Sequence, residues 1–292
     1  MTKQNKAYLF AISTVICWAS VGTAFKIALR YVNHVQMLFW SVLVALLVFC
    51  IILSFKKLWK QIFQQSKSQV FKSILIGFIS PFVYYLVLFK AYDLLPAQEA
   101  LTLNYIWPVV LVLLSIPVLK QKINFFSFMA ILISFFGSFV IASKGKIFDF
   151  EFSNLPGVIL AVLSTVIWSV FWLFNVKDKR NEIVKLFMCF LFGFLFILIY
   201  CIFTKNLALP EKNGMFALVY IGIFEMGLTF FLWMMALALS ETTAKVSNLI
   251  YITPFLSLLV VSIVLKEKIL ISTIIGLILI ILGIILQKKS NV

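Results

Sequence analysis

Glu225 is the residue whose chemistry is hardest to explain away. It lies near the centre of a long apolar run, Met215–Leu239, and it is the only acidic residue so placed in any of the apolar runs of the chain. An ionised carboxylate at that depth in a bilayer costs roughly 2.5–3.5 kcal/mol on insertion scales, so it must face a protein interior. Three readings are open for it: a site that binds and releases a proton, a counter-ion for a substrate ammonium held against aromatic faces, or a hydrogen-bonding post for a neighbouring helix.

Aromatic and amide side chains recur at helical spacing around mid-run positions. Ser164, Trp168 and Trp172 follow one another at four-residue steps, with Asn175 three further on, so they share one helix face. Asn104 and Trp107 sit together in another run, and Ser247, Tyr251 and Pro254 in a third. Trp and Tyr ordinarily collect at membrane interfaces. At mid-run they either pack ordinary core or line a pocket that offers ring faces, hydroxyls and amides to an amphipathic molecule. Pro108 and Pro254 stand at matched places inside their runs. Neither can donate to the carbonyl four residues back, so each predicts a kink with a freed acceptor that a cavity must satisfy; Pro81 is a third such position.

The elements that hold these residues follow from composition. Of 292 residues 63% are hydrophobic and 12% charged, about half the charge that a soluble surface carries. Apolar stretches of about 20 residues predict spans near 7–29, 36–54, 70–91, 96–119, 125–143, 155–176, 184–203, 214–239, 243–265 and 269–287. The expected fold is an all-α integral membrane protein with short connections. The first run is too long for a signal h-region and is read as a retained span. Lys and Arg (25, against 10 Asp and Glu) fall in clusters between the runs. That is topology charge, not a nucleic-acid face, and 16 of the 25 lie on one side if both termini are cytoplasmic.

The four cysteines lie inside apolar runs at unrelated spacings, and His34 is the single histidine. No metal, no cofactor and no catalytic triad is expected, so the chain is read as a non-enzyme. Lys26, near the end of the first run, either extends to the interface or greets a substrate carboxylate. Lys90, Asp93 and Glu99 read as a solvated turn, and Glu241 with Lys245 as a weak pair. Gly276 and Gly283, matched by Ala130 and Gly137, read as close-packing positions that could serve the scaffold or a weak homodimer; monomer and weak dimer both stay open.

A shift of 146 residues lays Tyr105-Ile106-Trp107-Pro108 on Tyr251-Ile252-Thr253-Pro254, Lys120 and Lys122 on Lys266 and Lys268, and Gly137 on Gly283. A repeated unit of five spans crosses the membrane an odd number of times, so its second copy inserts upside down. Two halves, 1–146 and 147–292, are therefore expected as inverted five-helix repeats, with a solute site between them near the midplane.

At this point the chain resembles the drug/metabolite transporter superfamily of EamA type, through the ten spans, the duplication and Asn104-Tyr105-Ile106-Trp107-Pro108. Cys17-Trp18-Ala19-Ser20, Ile167-Trp168-Ser169, Leu232-Trp233 and Tyr251-Ile252-Thr253-Pro254 resemble its aromatic amino acid exporter branch. The resemblance implies a multi-pass carrier of small metabolites in the bacterial inner membrane, commonly an exporter. It also implies that Trp107 and Trp168, with Tyr84 and Tyr85, face the cavity; with Trp18, Asn104, Trp172 and Tyr251 these are the candidate substrate-binding residues. Glu225 departs from the small or uncharged residue usual at that place. An importer of the same fold, and a channel or lipid-flipping scaffold, are the competing readings.

Overall fold

The computed structural model describes residues 1–107, 109–111, 113–114, 125–146, 154–176, 178–240, 249 and 252–290. Numbering the spans in chain order, span 1 is Lys3–Ala28, span 2 His34–Lys56, span 3 Lys67–Leu94, span 6 Leu155–Val176, span 7 Glu182–Thr204 and span 8 Lys212–Leu239. These six helices are long and apolar enough to cross a membrane. The helices Ala97–Asn104, Phe125–Ala142, Thr253–Leu265 and Ile271–Ser290 stand where spans 4, 5, 9 and 10 were expected.

Helix ends are set by the polar residues that interrupt the apolar runs. Asn33 accepts from the amides of Val35 and Gln36 while the Gln36 side chain bonds back to the Asn33 amide, and Ser66 with Gln69 repeats this device before span 3. Spans 2, 7 and 9 each stop at a lysine in left-handed conformation: Lys57 (φ 55°), Lys205 (φ 54°) and Lys266 (φ 57°). Where glycine would be the usual choice, lysine adds a charge that holds the helix end at the polar boundary.

Packing repeats with a period of five spans. Span 1 lies on spans 8 and 9, and span 6 lies on spans 3 and 4; span 2 lies on span 8, and span 7 on span 3. Spans 2 and 7, 4 and 9, and 5 and 10 pair with their own counterparts. That pattern is a twofold relation between two repeats.

Glycine makes the closest of these crossings possible. A Cβ on Gly77 of span 3 would collide with the carbonyl oxygen of Cys189 and lie 2.9 Å from the Gly193 amide of span 7. A Cβ on Gly222 of span 8 would lie 2.6 Å from the Ser41 carbonyl of span 2. The two contacts are counterparts. Gly137 and Gly276 likewise face each other across spans 5 and 10, with a Cβ on Gly276 only 2.5 Å from the Gly137 carbonyl. The small-residue face open to a dimer reading is used here within one chain.

Spans 3 and 8 share a second feature. Each is interrupted halfway, span 3 by a kink within Phe78–Val83 and span 8 by a wide π turn at Gly222–Gly227. In span 3 the cause is Pro81, which has no amide to donate, and Ser80 swings to extended backbone (φ −148°, ψ 127°). In span 8 no proline is present, and Gly222 and Gly227 bracket the turn. Span 4 breaks too: its helix ends at Asn104, and Tyr105 and Ile106 form a turn. Pro108 itself lies outside the described residues. Pro254 sits in the first turn of the helix Thr253–Leu265, where a missing amide costs nothing; residues 250 and 251, where the expected kink would lie, are outside the described residues.

Gly77→Ala is expected to destabilise the protein by about 3 kcal/mol, since backbone atoms on span 7 cannot yield to the added methyl. Gly22→Ala, whose methyl meets the movable ring end of Tyr92 at 3.1 Å, serves as the mild control. Thermal melting of the purified protein in detergent measures both.

Candidate functional site

The π turn of span 8 decides where Glu225 points. One extra residue per turn rotates the carboxylate off the helical stripe of its neighbours and into the bundle, where Tyr85 of span 3 donates its hydroxyl to Oε1 at 3.1 Å. The indole of Trp18 on span 1 reaches the Glu225 backbone carbonyl at 3.4 Å. Within the turn, the Thr229 hydroxyl bonds the Phe224 carbonyl five residues back, satisfying an acceptor that the wide turn frees. Glu225 stays half-buried, while Tyr85 is fully buried behind it.

Around this carboxylate the rings form one connected wall. Tyr84 stacks on Trp168 of span 6 (centroids 4.6 Å, planes 25° apart), and Trp168 stacks on Phe171 and meets Trp172 edge-on at 5.8 Å. Phe230, one π step beyond Glu225, touches Trp168 at 6.0 Å and Trp18 at 6.2 Å; Trp18 continues to Trp233 at 5.8 Å. The wall therefore runs from span 6 through spans 3 and 8 to span 1, joining both halves. Edge-to-face and offset contacts of this kind are favourable beyond their buried area.

Amides and hydroxyls border the wall on one side. Asn104 donates to Ser164 at 2.9 Å, and Ser169 donates to the Trp107 carbonyl at 3.0 Å, tying the broken end of span 4 to span 6. Trp172 keeps a buried indole N–H with no partner among the described residues. Of the residues singled out in the sequence, Trp18, Tyr84, Tyr85, Trp168, Trp172 and Glu225 come together directly, with Asn104 and Trp107 at the span 4 edge. Tyr251, Ser247, Glu241 and Lys245 lie outside the described residues. Phe171, Phe230 and the Tyr220–Ser20 hydroxyl pair (2.6 Å) were not singled out. Phe230 stands five residues from Glu225, a spacing that a search for three- and four-residue steps passes over.

At the end of the bundle away from the termini, polar groups bind spans 1 and 9 to the turn between spans 3 and 4. Lys26 neither snorkels nor waits for a carboxylate: its ammonium donates to the carbonyls of Tyr92 (2.8 Å) and Leu95 (3.0 Å), at the closing end of span 3. Glu267 accepts from the amides of Ala97 (3.1 Å) and Gln98 (3.4 Å), at the opening of span 4. Each charge thus meets the helix end of opposite polarity. The Gln98 side chain completes the clasp through the Lys268 carbonyl, the Leu270 amide and the Thr273 hydroxyl. Glu99, expected to be solvated, is buried (1% exposed) with Lys144 at 3.7 Å from its carboxylate. A cleft of about 200 Å³ opens here beside Lys26, Arg30, Asp93 and Glu267. None of its lining residues belongs to the aromatic wall, and two of its charges, Lys26 and Glu267, hold helix ends while Asp93 pairs with Lys90, so the chemistry favours Glu225 as the centre of the site.

At the other end, Arg180 forks onto Asp178 (2.6 and 2.9 Å) and reaches Gln65, the Gln69 carbonyl and Ser73 on span 3. Burial works against a charged Asp178, but the hydrogen bonds and charge of Arg180 outweigh it and hold the carboxyl below its ordinary value.

Broken helices, an interior carboxylate and an aromatic wall that joins the two repeats are the features that comparison with known proteins must account for. The EamA-like transporter family model matches residues 5–143 and 155–287, and the chain belongs to that family. An "uncharacterized transporter" of Archaeoglobus fulgidus is 23% identical over 98% of this chain and its own full length. Another, from Clostridium kluyveri, is 28% identical over 60% of this chain and 58% of its own. The aromatic amino acid exporter YddG of Ancylobacter novellus is 28% identical over 52% of this chain and 53% of its own. The match thus spans little more than half the length of the last two. A solved crystal structure, 20% identical, superposes with a TM-score of 0.67 over 99% of this chain and 98% of that one, and shows the same fold.

The lowered carboxyl of Asp178 contributes stability above its unfolded value of 3.8, lost as pH falls through the still lower folded value. Asp178→Asn is therefore expected to cost about 1–2 kcal/mol near neutrality. The gap from wild type should close in acid well below 3.8, read from melting curves across pH.

Proposed function

We propose that the chain is a secondary active transporter that exports small amphipathic metabolites, aromatic or other amino acids foremost, by alternating access. The observation that carries this reading is the placement of Glu225 and the Trp18–Phe230–Trp168–Tyr84 wall at the paired helix breaks of spans 3 and 8. Ring faces suit an apolar body, and the carboxylate, hydroxyls and amides suit its polar head. The name of the Ancylobacter novellus relative favours amino acids and the outward direction.

In this reading residues 1–146 and 147–292 are the two moving halves. The lysine distribution supports cytoplasmic termini in a bacterial inner membrane, which places the Lys26–Gln98–Glu267 clasp on the outer side. The clasp joins spans 1 and 9 to spans 3 and 4 through helix-end contacts that are individually modest, so it opens and closes as an outer gate.

Counterflow into proteoliposomes with labelled phenylalanine, tryptophan and leucine tests the carrier. Uptake is expected for at least one, falling about tenfold or more in Trp168→Ala as stacking is lost. In a cysteine-free background, a bifunctional thiol linker joining Gln98→Cys to Lys268→Cys is expected to stop counterflow, and reducing the linker to restore it. Full exchange with the linker in place would remove the gate from the mechanism.

A further inference from the structure

Glu225 is poised but not paired. Tyr85 satisfies Oε1, and no hydrogen bond or ion pair among the described residues reaches Oε2. The residue keeps accessible surface although its backbone sits in mid-span, and the ion pairs described for the chain all lie near the span ends. A hydrogen-bonding post would need neither the open oxygen nor the exposure. An asparagine or glutamine could accept from Tyr85 without the cost of an acid in hydrocarbon.

The surroundings narrow what would complete it. Trp18 and Phe230 flank the turn that carries Glu225, and Tyr85 brings Tyr84 and Trp168 with it. Ring faces attract cations and repel anions, and a single carboxylate does the same at longer range. No lysine or arginine among the described residues pairs with this carboxylate, and the nearest one on span 1, Lys26, is committed to carbonyls at the outer clasp. The site is thus negative in character with an apolar floor.

We infer that Glu225, with Trp18 beside it, is the recognition point for a protonated amine whose aromatic or aliphatic body lies against Trp18 and Trp172, the rings of the wall that keep accessible surface. Tyr85 is the positioning residue that holds the carboxylate toward the incoming ammonium. The substrate class is therefore amino compounds, with the amine obligatory and a carboxylate optional. This deepens the carrier reading and uses it only to say where the ligand goes; the binding itself is testable without transport.

Three probes share one phenyl body: phenethylamine has the amine alone, phenylalanine has amine and carboxylate, and hydrocinnamate has the carboxylate alone. Binding to the full chain in lipid nanodiscs is read from intrinsic fluorescence, since the phenyl probes are silent where tryptophan emits. Phenethylamine and phenylalanine are expected to bind, and hydrocinnamate to bind at least about tenfold more weakly. Glu225→Gln should weaken both amines about tenfold or more and leave hydrocinnamate no weaker, its repulsion by the carboxylate being removed, and Glu225→Asp should recover part of the amine loss. The order between the two amines reports whether the substrate carboxylate also finds a partner, and either order retains the inference. Hydrocinnamate binding as tightly as phenethylamine, or Glu225→Gln and Glu225→Asp both binding amines like wild type, overturns it. Should Glu225→Gln not fold, the comparison of probes on wild type and Glu225→Asp decides alone. Glu225-dependent binding with no counterflow of any solute would remove the carrier reading and keep this one. Equal counterflow of all three probes in wild type and Glu225→Asp would do the reverse.

Discussion

Hydrocarbon cannot hydrogen-bond a peptide group, and that single constraint organises the interior of this protein. An unsatisfied carbonyl or amide in the membrane costs several kcal/mol. A helix can therefore be interrupted there only where a neighbouring helix or a cavity satisfies what the break releases. Spans 3 and 8 are both interrupted at mid-length, and both breaks turn inward. In span 8 the freed Phe224 carbonyl takes the Thr229 hydroxyl and the Glu225 carbonyl takes the Trp18 indole. The breaks are tolerable because they face each other's halves, and the groups they turn inward make the interior chemically active.

The same constraint explains why glycine and the aromatic wall occur together. Wide turns need a closely approaching neighbour to cover them, and Gly77 and Gly222 bring the backbones of spans 7 and 2 to contact distance at the two breaks. Proximity on the outer side of each break leaves the inner side to be filled by large side chains. Tryptophan and tyrosine fill it with flat surface and one polar atom apiece. Glu225 with Tyr85, and Asn104 with Ser164, put polar groups among these rings.

Ends of helices carry the remaining polar work. Lys26 on the carbonyl end of span 3 and Glu267 on the amide end of span 4 use the polarity that every helix has at its termini. Such contacts exchange with water at little net cost, which distinguishes them from the glycine crossings, where removal or insertion of a methyl is felt at once.

Much of this was legible in the sequence, for identifiable reasons. Span positions follow from length and hydropathy, which the bilayer imposes residue by residue; the run expected at 36–54 is the helix His34–Lys56. Glu225 had to face inward because no lipid-facing position tolerates it, and Trp168, Trp172 and Tyr85 were found with it. What the sequence could not supply was any relation between residues far apart that depends on helix phase. The π turn at Gly222–Gly227 shifts every following side chain of span 8 by a residue, and it places Phe230, not a residue at three or four steps, in the wall. Lys26 had two plausible surroundings by composition and took a third, because the turn at Leu95 brings two carbonyls to its ammonium. Glu99 looked solvated until neighbouring helices covered it. The chain's own composition determined an all-helical membrane protein with an acid inside one of its spans. Only the tertiary structure decided which rings that acid meets, because one residue of helical slip rotates a side chain by about 100° and nothing local in an apolar sequence fixes that phase.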